Sequence, residues 1–204
     1  MNHQTDTRTR LITEARNLFA KNGFSGVGVR EITRAAHANL GAVTYHFGSK
    51  RALYDAVFVS MGDDIATRLE TAAAAPGSAV SRLKAIVHTL FSFFREAPEA
   101  PLLILHEVAA TGAPPPALVP LIRRNLQAVE RVLREGRAHN EVREVDPMMV
   151  AFSMISQAVW FALVGRFLPA IGVVPTDDGS FAARVEAHVV EAIRRSVHRE
   201  ADTP

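Results

Sequence analysis

REITRAAHANLGAVTYHFGSKR, residues 30–51, is the stretch whose spacing decides the fold. In its first part Val29, Ile32, Ala35 and Ala36 recur at helical intervals, which predicts a short helix burying one face. Asn39 is placed to cap a second helix through its side-chain oxygen. On that helix Leu40 and Val43 are expected to return to the core, leaving Gly41, Ala42, Thr44, Tyr45 and His46 pointing outward. Ser49-Lys50-Arg51 then opens a third helix. This is the build of a helix-turn-helix whose second helix enters the major groove of DNA.

Upstream, Leu11, Ala15, Leu18 and Phe19 give a helix over residues 7–22 an inner face, with Asp6 or Thr7 as its cap and Gly23 as its stop. Phe24 fills the joint below it. Downstream of Ser49, Leu53, Val57, Met61, Ile65 and Leu69 recur every four residues to about Ala73, predicting a connecting helix that ends at Ala75-Pro76-Gly77. Residues 1–51 carry eight cations, Arg8, Arg10, Arg16, Lys21, Arg30, Arg34, Lys50 and Arg51, against Asp6, Glu14 and Glu31, a net of +5. The remainder has 15 basic and 18 acidic residues, a net of −3. A basic head on a slightly acidic body suits a nucleic-acid partner at one end.

Gly23-Phe24, Arg30-Glu31-Ile32, Gly41, Tyr45-His46-Phe47 and Ser49-Lys50-Arg51-Ala52-Leu53 fall in one register, and in it the chain resembles the TetR family of bacterial transcriptional regulators. Two positions depart from that pattern: His37 stands at the turn where the family usually has glycine, and Val27-Gly28 where Thr or Ser usually caps the first motif helix. The resemblance implies backbone-phosphate contacts at the positions of Tyr45 and Lys50. By their exposure and reach, Arg30, Asn39, Gly41, Ala42, Thr44, His46 and Arg51 complete the expected DNA-binding set. The short Gly41, Ala42 and Thr44 would let the backbone approach base edges, while His46 and Arg51 would join the phosphate contacts.

The 204 residues are 48% apolar and 22% charged, the balance of a soluble globular protein. Residues 148–168 are the most apolar stretch, interrupted by Ser153, Ser156, Gln157 and Arg166, so no run reaches the ~18 to 20 residues of a membrane span. No signal segment follows the polar N-terminus, and there is no cysteine for disulfide or thiolate chemistry. A cytoplasmic location without a membrane partner is the expectation. A Gly-rich phosphate loop, a His-Glu-x-x-His pattern and a Gly-x-Ser-x-Gly elbow are all missing, so an enzyme is not expected, nor any cofactor or metal.

The body reads as helical throughout. Ser78 caps a helix with Val80, Leu83, Val87, Leu90 and Phe94 as its stripe; Pro101 opens a short apolar helix; Gly112 and Pro114-Pro115-Pro116 break the chain. A helix over residues 117–140 turns Leu118, Ile122, Leu126, Val129, Leu133 and Gly136 inward. Asp146-Pro147 opens another to Phe167, and Ser180 or Asp178, after a loop over 169–179 with Pro175, caps a last one to His198. The expected fold is therefore all-α, with about nine helices: a helix-turn-helix head over residues 1–50 and, over 51–204, a ligand-binding and dimerisation body.

Two further sites are expected in that body. Phe91, Phe94, Leu103, His106, Glu107, Met154, Gln157, Trp160 and Phe161 supply the apolar and aromatic lining, with a few polar handles, that a small-molecule pocket needs. Small residues at Ala151, Ala158, Ala162 and Gly165 on one late helix, and at Val185, Val189, Ala192 and Ser196 on the other, allow the close approach of a four-helix homodimer interface. The resemblance implies the same dimer, and a ligand that changes the separation of its two heads. The function expected is thus a ligand-responsive regulator, most simply a repressor, released from a palindromic operator by an apolar or aromatic effector. Two alternatives stay open: a DNA-binding regulator without a small-molecule effector, and a helical binding protein with a non-functional head.

Overall fold

A computed structural model describes residues 3–165, 167–172 and 180–198. Among these the secondary structure is wholly helical: α1 (His3–Asn22), α2 (Val29–Ala35), α3 (Ala42–Phe47), α4 (Lys50–Ala73), α5 (Ala79–Glu96), α6 (Ala100–Thr111), a 3-10 turn (Pro116–Leu118), α7 (Val119–Ala138), α8 (Pro147–Val164) and α9 (Ser180–Val197). The expected all-α architecture of about nine helices is what is found. The turn at Pro175 and a cap at Asp178 lie outside the described residues.

Local caps set most of these boundaries. The Ser49 hydroxyl accepts the Ala52 amide at 3.1 Å and starts α4; Ser78 does the same for Ser81 at 3.2 Å and starts α5. Asp146 accepts the Met148 amide at 2.8 Å ahead of Pro147 at the start of α8. Each cap satisfies a donor that the first helical turn leaves unpaired. Where the sequence offered no such cap, the boundary moved. The last of the three prolines opens the 3-10 turn, so α7 begins at Val119, and Ile122, expected inward, is 37% exposed.

The chain divides into two compact units, one formed by residues 1–64 and 99–121, the other by 65–98 and 122–204. In the first, α1 packs on α2 and α6, and α2 on α3. Its core holds Leu11, Ala15, Phe19, Val27, Ile32, Ala36, Val43, Leu53, Tyr54, Val57 and Phe58, all nearly inaccessible. In the second, α5, α8 and α9 pack mutually. Leu83, Ile86, Val87, Leu90 and Phe91 of α5 meet Ala151, Met154 and Ala158 of α8 and Val189, Ile193 and Val197 of α9 in its core.

α8 corrects one expectation. Its 18 residues average a hydropathy of 1.7, which meets the length and apolarity of a membrane crossing, because Ser153, Ser156 and Gln157 are uncharged and Arg166 falls beyond its end. Only 22% of that stretch is buried within the chain. Its exposed face carries Met148, Met149, Phe152 and Trp160.

Gly136, expected to face inward, marks the tightest approach in the second unit. A Cβ there would lie 2.4 Å from the Cβ of Ala79 and 3.2 Å from Val142 Cγ2. Neither neighbour is the far end of a flexible side chain, so the start of α5 would have to retreat. Gly136→Ala should therefore destabilise the protein by about 1–3 kcal/mol despite its better helix propensity, seen as a lower urea midpoint with an unchanged slope.

Candidate nucleic-acid interface

The head displays a short helix on an aromatic foundation. Tyr54 lies at its centre, 1% exposed, with the rings of Phe19, Phe24 and Phe58 each 4.9 Å away, Phe19 and Phe58 edge-on. Edge-to-face rings add to the stabilisation their buried area provides. α2 leaves this core through a Schellman turn: the Ala38 amide donates to the Thr33 carbonyl at 2.9 Å, and that of His37 to Arg34 at 3.2 Å. His37 occupies the left-handed position of that turn at φ 49°. Glycine is favoured there, and a β-carbon costs about 1 kcal/mol. Arg10 of α1 braces the turn, its Nε donating to the Ala36 carbonyl at 3.1 Å.

α3 starts at Ala42, with Gly41 as the preceding cap residue and no side-chain cap. The Asn39 contribution is its main-chain carbonyl, which accepts the Ala42 amide at 3.0 Å, so the expected side-chain cap is not made. That shift of the helix start changes which residues face in. Ala42 is buried at 6% exposure and Val43 at 1%, while Leu40 stands out at 53%. The expectations for Ala42 and Leu40 are thus exchanged: Leu40 lies in the turn before the helix and escapes its periodicity. Gly41, Thr44 and Tyr45 are exposed, Tyr45 at 71%, as are Arg30 and Asn39; His46 is half-buried. These form the outward surface of α3 and its approach.

The two cations at the start of α4 are held differently. Lys50 Nζ lies 4.2 Å above the centre of the Phe24 ring. Arg51 reaches Asp55 through Nε and Glu107 of α6 through a terminal nitrogen, both at 3.1 Å, and stacks over Tyr54 at 5.2 Å. Its guanidinium is thus engaged within the chain as a strut to α6, while the Arg51 side chain stays 46% exposed. Burial opposes the charge on Arg51, but the hydrogen bond and charge of Glu107, with Asp55, more than offset it and hold its pKa above the usual value. Burial, then the charge and hydrogen bond of Glu107, push the Tyr54 phenol far above its ordinary range, so it stays neutral and donates to that carboxylate. Glu107, expected in a ligand pocket, is instead the buried acceptor of this network.

The remaining pocket candidates are divided between the units. Leu103 and His106 belong to the first, where Leu103 is fully buried and Nδ1 of His106 is buried without a hydrogen-bond partner among the described residues. In the second, the Phe91 ring lies tilted 6.0 Å from that of Phe161, which lies 5.7 Å from Phe181 of α9, and Met154 is fully buried; these rings join α5, α8 and α9. Phe94 is half-buried beside Phe93 at 5.3 Å, and the Gln157 amide donates back to Ser153 at 2.9 Å. Trp160, 66% exposed, faces away from that core. Of the interface candidates, Ala151, Ala158 and Val189 are buried within the chain, whereas Ala162, Gly165, Val185, Ala192 and Ser196 are part-exposed. Small residues on α8 and α9 serve first to bring α5, α8 and α9 together. Phe152, 64% exposed, was missed because it interrupts no pattern; its place with Met149 and Trp160 on one helical face was the available signal.

The family described as "Bacterial regulatory proteins, tetR family" matches residues 11–57, and "Tetracyclin repressor-like, C-terminal domain" matches residues 80–193. The chain belongs to the TetR family. It is 25% identical over 150 residues to the HTH-type transcriptional regulator UidR of Escherichia coli strain K12, covering 72% of this chain and 74% of that one. A TetR-family regulatory protein from Rhodococcus RHA1 superposes with a TM-score of 0.76 at 17% identity, over 98% of this chain and all of the other. AibR, solved with isovaleryl coenzyme A and operator DNA, superposes at 0.69 with 18% identity, over 91% and 97%. This TetR-family chain is a transcriptional regulator with a DNA-binding helix-turn-helix head, in a family of regulators rather than enzymes.

The Glu107 network gives the head a measurable dependence on α6. Glu107→Ala leaves the buried Tyr54 hydroxyl without its acceptor, at a cost of about 1–3 kcal/mol. Glu107→Gln keeps one acceptor and should cost less. Urea unfolding of the two variants side by side checks the order.

Proposed function

We propose that this TetR-family regulator is a ligand-responsive repressor. As a homodimer it binds a palindromic operator through residues 1–50 and is released when a small apolar or aromatic molecule occupies the body over residues 51–204. The observation that carries the DNA reading is the outward surface of α3, where Gly41, Thr44 and Tyr45 stand exposed behind the protruding Leu40. Leu40 and the Thr44 methyl group suit thymine methyl groups, and the Thr44 hydroxyl suits a base edge. Arg30, Tyr45, His46 and Lys50 suit phosphates on either side, and Asn39 and Gly41 let the turn come close.

Dimerisation is supported by the exposed face of α8. Met149, Phe152 and Trp160 lie on one side of a helix whose other side is already buried, and single chains rarely leave such a stripe in water. With half-exposed Val185, Ala192 and Ser196 of α9, it suits a self-complementary two-fold contact. Two heads then read successive major grooves only when about 34 to 36 Å apart, so an effector that binds one spacing better weakens the operator complex by its differential affinity. The buried, unpaired Nδ1 of His106 supports an effector with a polar group to satisfy it. A cytoplasmic location follows from this role.

Selection of bound sequences from random DNA should return a palindrome, and repeated recovery of no sequence would remove the reading. On that operator, Lys50→Ala should weaken binding to all sequences alike and lower the salt slope by about one unit. Phe152→Asp with Trp160→Asp should turn the dimer into a folded monomer in sedimentation, with operator affinity lost.

A further inference from the structure

Among the described residues of the head, His37 is the one non-glycine whose backbone is left-handed. Its φ of 49° is the left-handed value that the Schellman turn requires and that a glycine adopts without strain. A side chain retained at such a position is compensated either by packing or by work done outside the fold. Packing does not account for it, because the ring is exposed and makes no hydrogen bond, ion pair or ring contact among the described residues. It does border an open cleft of about 400 Å³ beside α3. Thr7 and Arg10 of α1, Asn39 of the turn, and Tyr45 and His46 of α3 form the rest of the polar wall.

The chemistry of that wall favours an anion with several acceptor oxygens. Two imidazoles, two hydroxyls, an amide and a guanidinium face one space, all able to donate hydrogen bonds. Arg10 is already held by the Ala36 carbonyl, Thr7 and Asp6, so it shapes the turn and contributes field more than direct contact. Asp6, 61% exposed, is the carboxylate beside the cleft and limits its positive potential. His37 is then the side chain whose ring is uncommitted and whose position the turn fixes. The geometry points to His37 as a positioning contact that donates a ring N–H to a non-bridging phosphate oxygen of the DNA backbone, fixing how the turn between α2 and α3 sits on the duplex. This inference rests on the DNA-binding reading and adds to it a residue outside the expected contact set.

Phosphate contacts do not depend on sequence, so the probe is a mixed-sequence duplex of about 30 base pairs at low salt. Fluorescence anisotropy and thermal unfolding are measured on the full chain for the wild type, His37→Gly and His37→Asn. Glycine relieves the strain and removes the donor; asparagine accepts the left-handed turn but falls short of the cleft. The expected result is a thermal midpoint unchanged or raised in His37→Gly, with affinity for the duplex about ten- to a hundredfold lower in both variants, a loss on the scale of one hydrogen bond to a charged group. Wild-type-like affinity in His37→Gly overturns the inference and leaves the DNA-binding reading standing. A lowered midpoint in His37→Gly also overturns it, since the ring would then be serving the fold. A folded wild type that does not bind the duplex at all removes the DNA-binding reading, and the inference with it.

Discussion

Tyr54 is where the apolar core of the head meets its buried charge, and the joint between α1, α4 and α6 depends on that meeting. Its ring is packed against Phe19, Phe24 and Phe58, from α1, the following loop and α4. Its hydroxyl ends on Glu107 of α6, where Arg51 also arrives. Burying a carboxylate is unfavourable unless its lone pairs are filled. Glu107 fills them from two residues three apart on α4, so the penalty is avoided only while α4 and α6 keep one register. Phe24 adds to the same joint, since Lys50 Nζ lies 4.2 Å and the Arg51 guanidinium 5.7 Å from the centre of its ring. The polar contacts thus fix a geometry that the apolar contacts alone would leave free to slide.

What was legible in the sequence is what local chemistry decides. Ser49, Ser78 and Asp146 each accept an amide two or three residues on, so a reader of the chain can place the starts of α4, α5 and α8 without knowing the fold. The four-residue repeat of Leu53, Val57, Met61, Ile65 and Leu69 is long enough to fix which face is buried, and all five are buried. α3 has six residues and no side-chain cap, so its phase is undetermined until its first residue is known. Leu40 and Ala42 exchange places for that reason. In α8 the difficulty is different. Small residues announce close approach but not the identity of what approaches, and α5 and α9 of the same chain take Ala151 and Ala158. Glu107 and Arg51 lie 56 residues apart, and no spacing rule connects them.

The net charge of the head overstates what it can offer a duplex. Of its eight cations, Arg10 is paired with Asp6, Arg16 with Glu99 at 2.7 Å, and Arg51 with Asp55 and Glu107. Five remain outside those pairs: Arg8, Lys21, Arg30, Arg34 and Lys50. If each met one phosphate, the salt slope per head would be at most about 0.9 per contact, or roughly 4 to 5 in all. A reader with so few long-range charges must gain its hold on the duplex from short, geometrically exact contacts. On the proposed reading, that places the burden on hydrogen-bond donors at the presented face: the Thr44 and Tyr45 hydroxyls on α3, and an imidazole at a turn where the backbone would be more relaxed without it. Strain of about 1 kcal/mol at His37 is then comparable with what one charge-assisted hydrogen bond returns, about 1.5 to 3 kcal/mol. On the proposed contact, that balance lets a histidine stand at a position a glycine would occupy without strain.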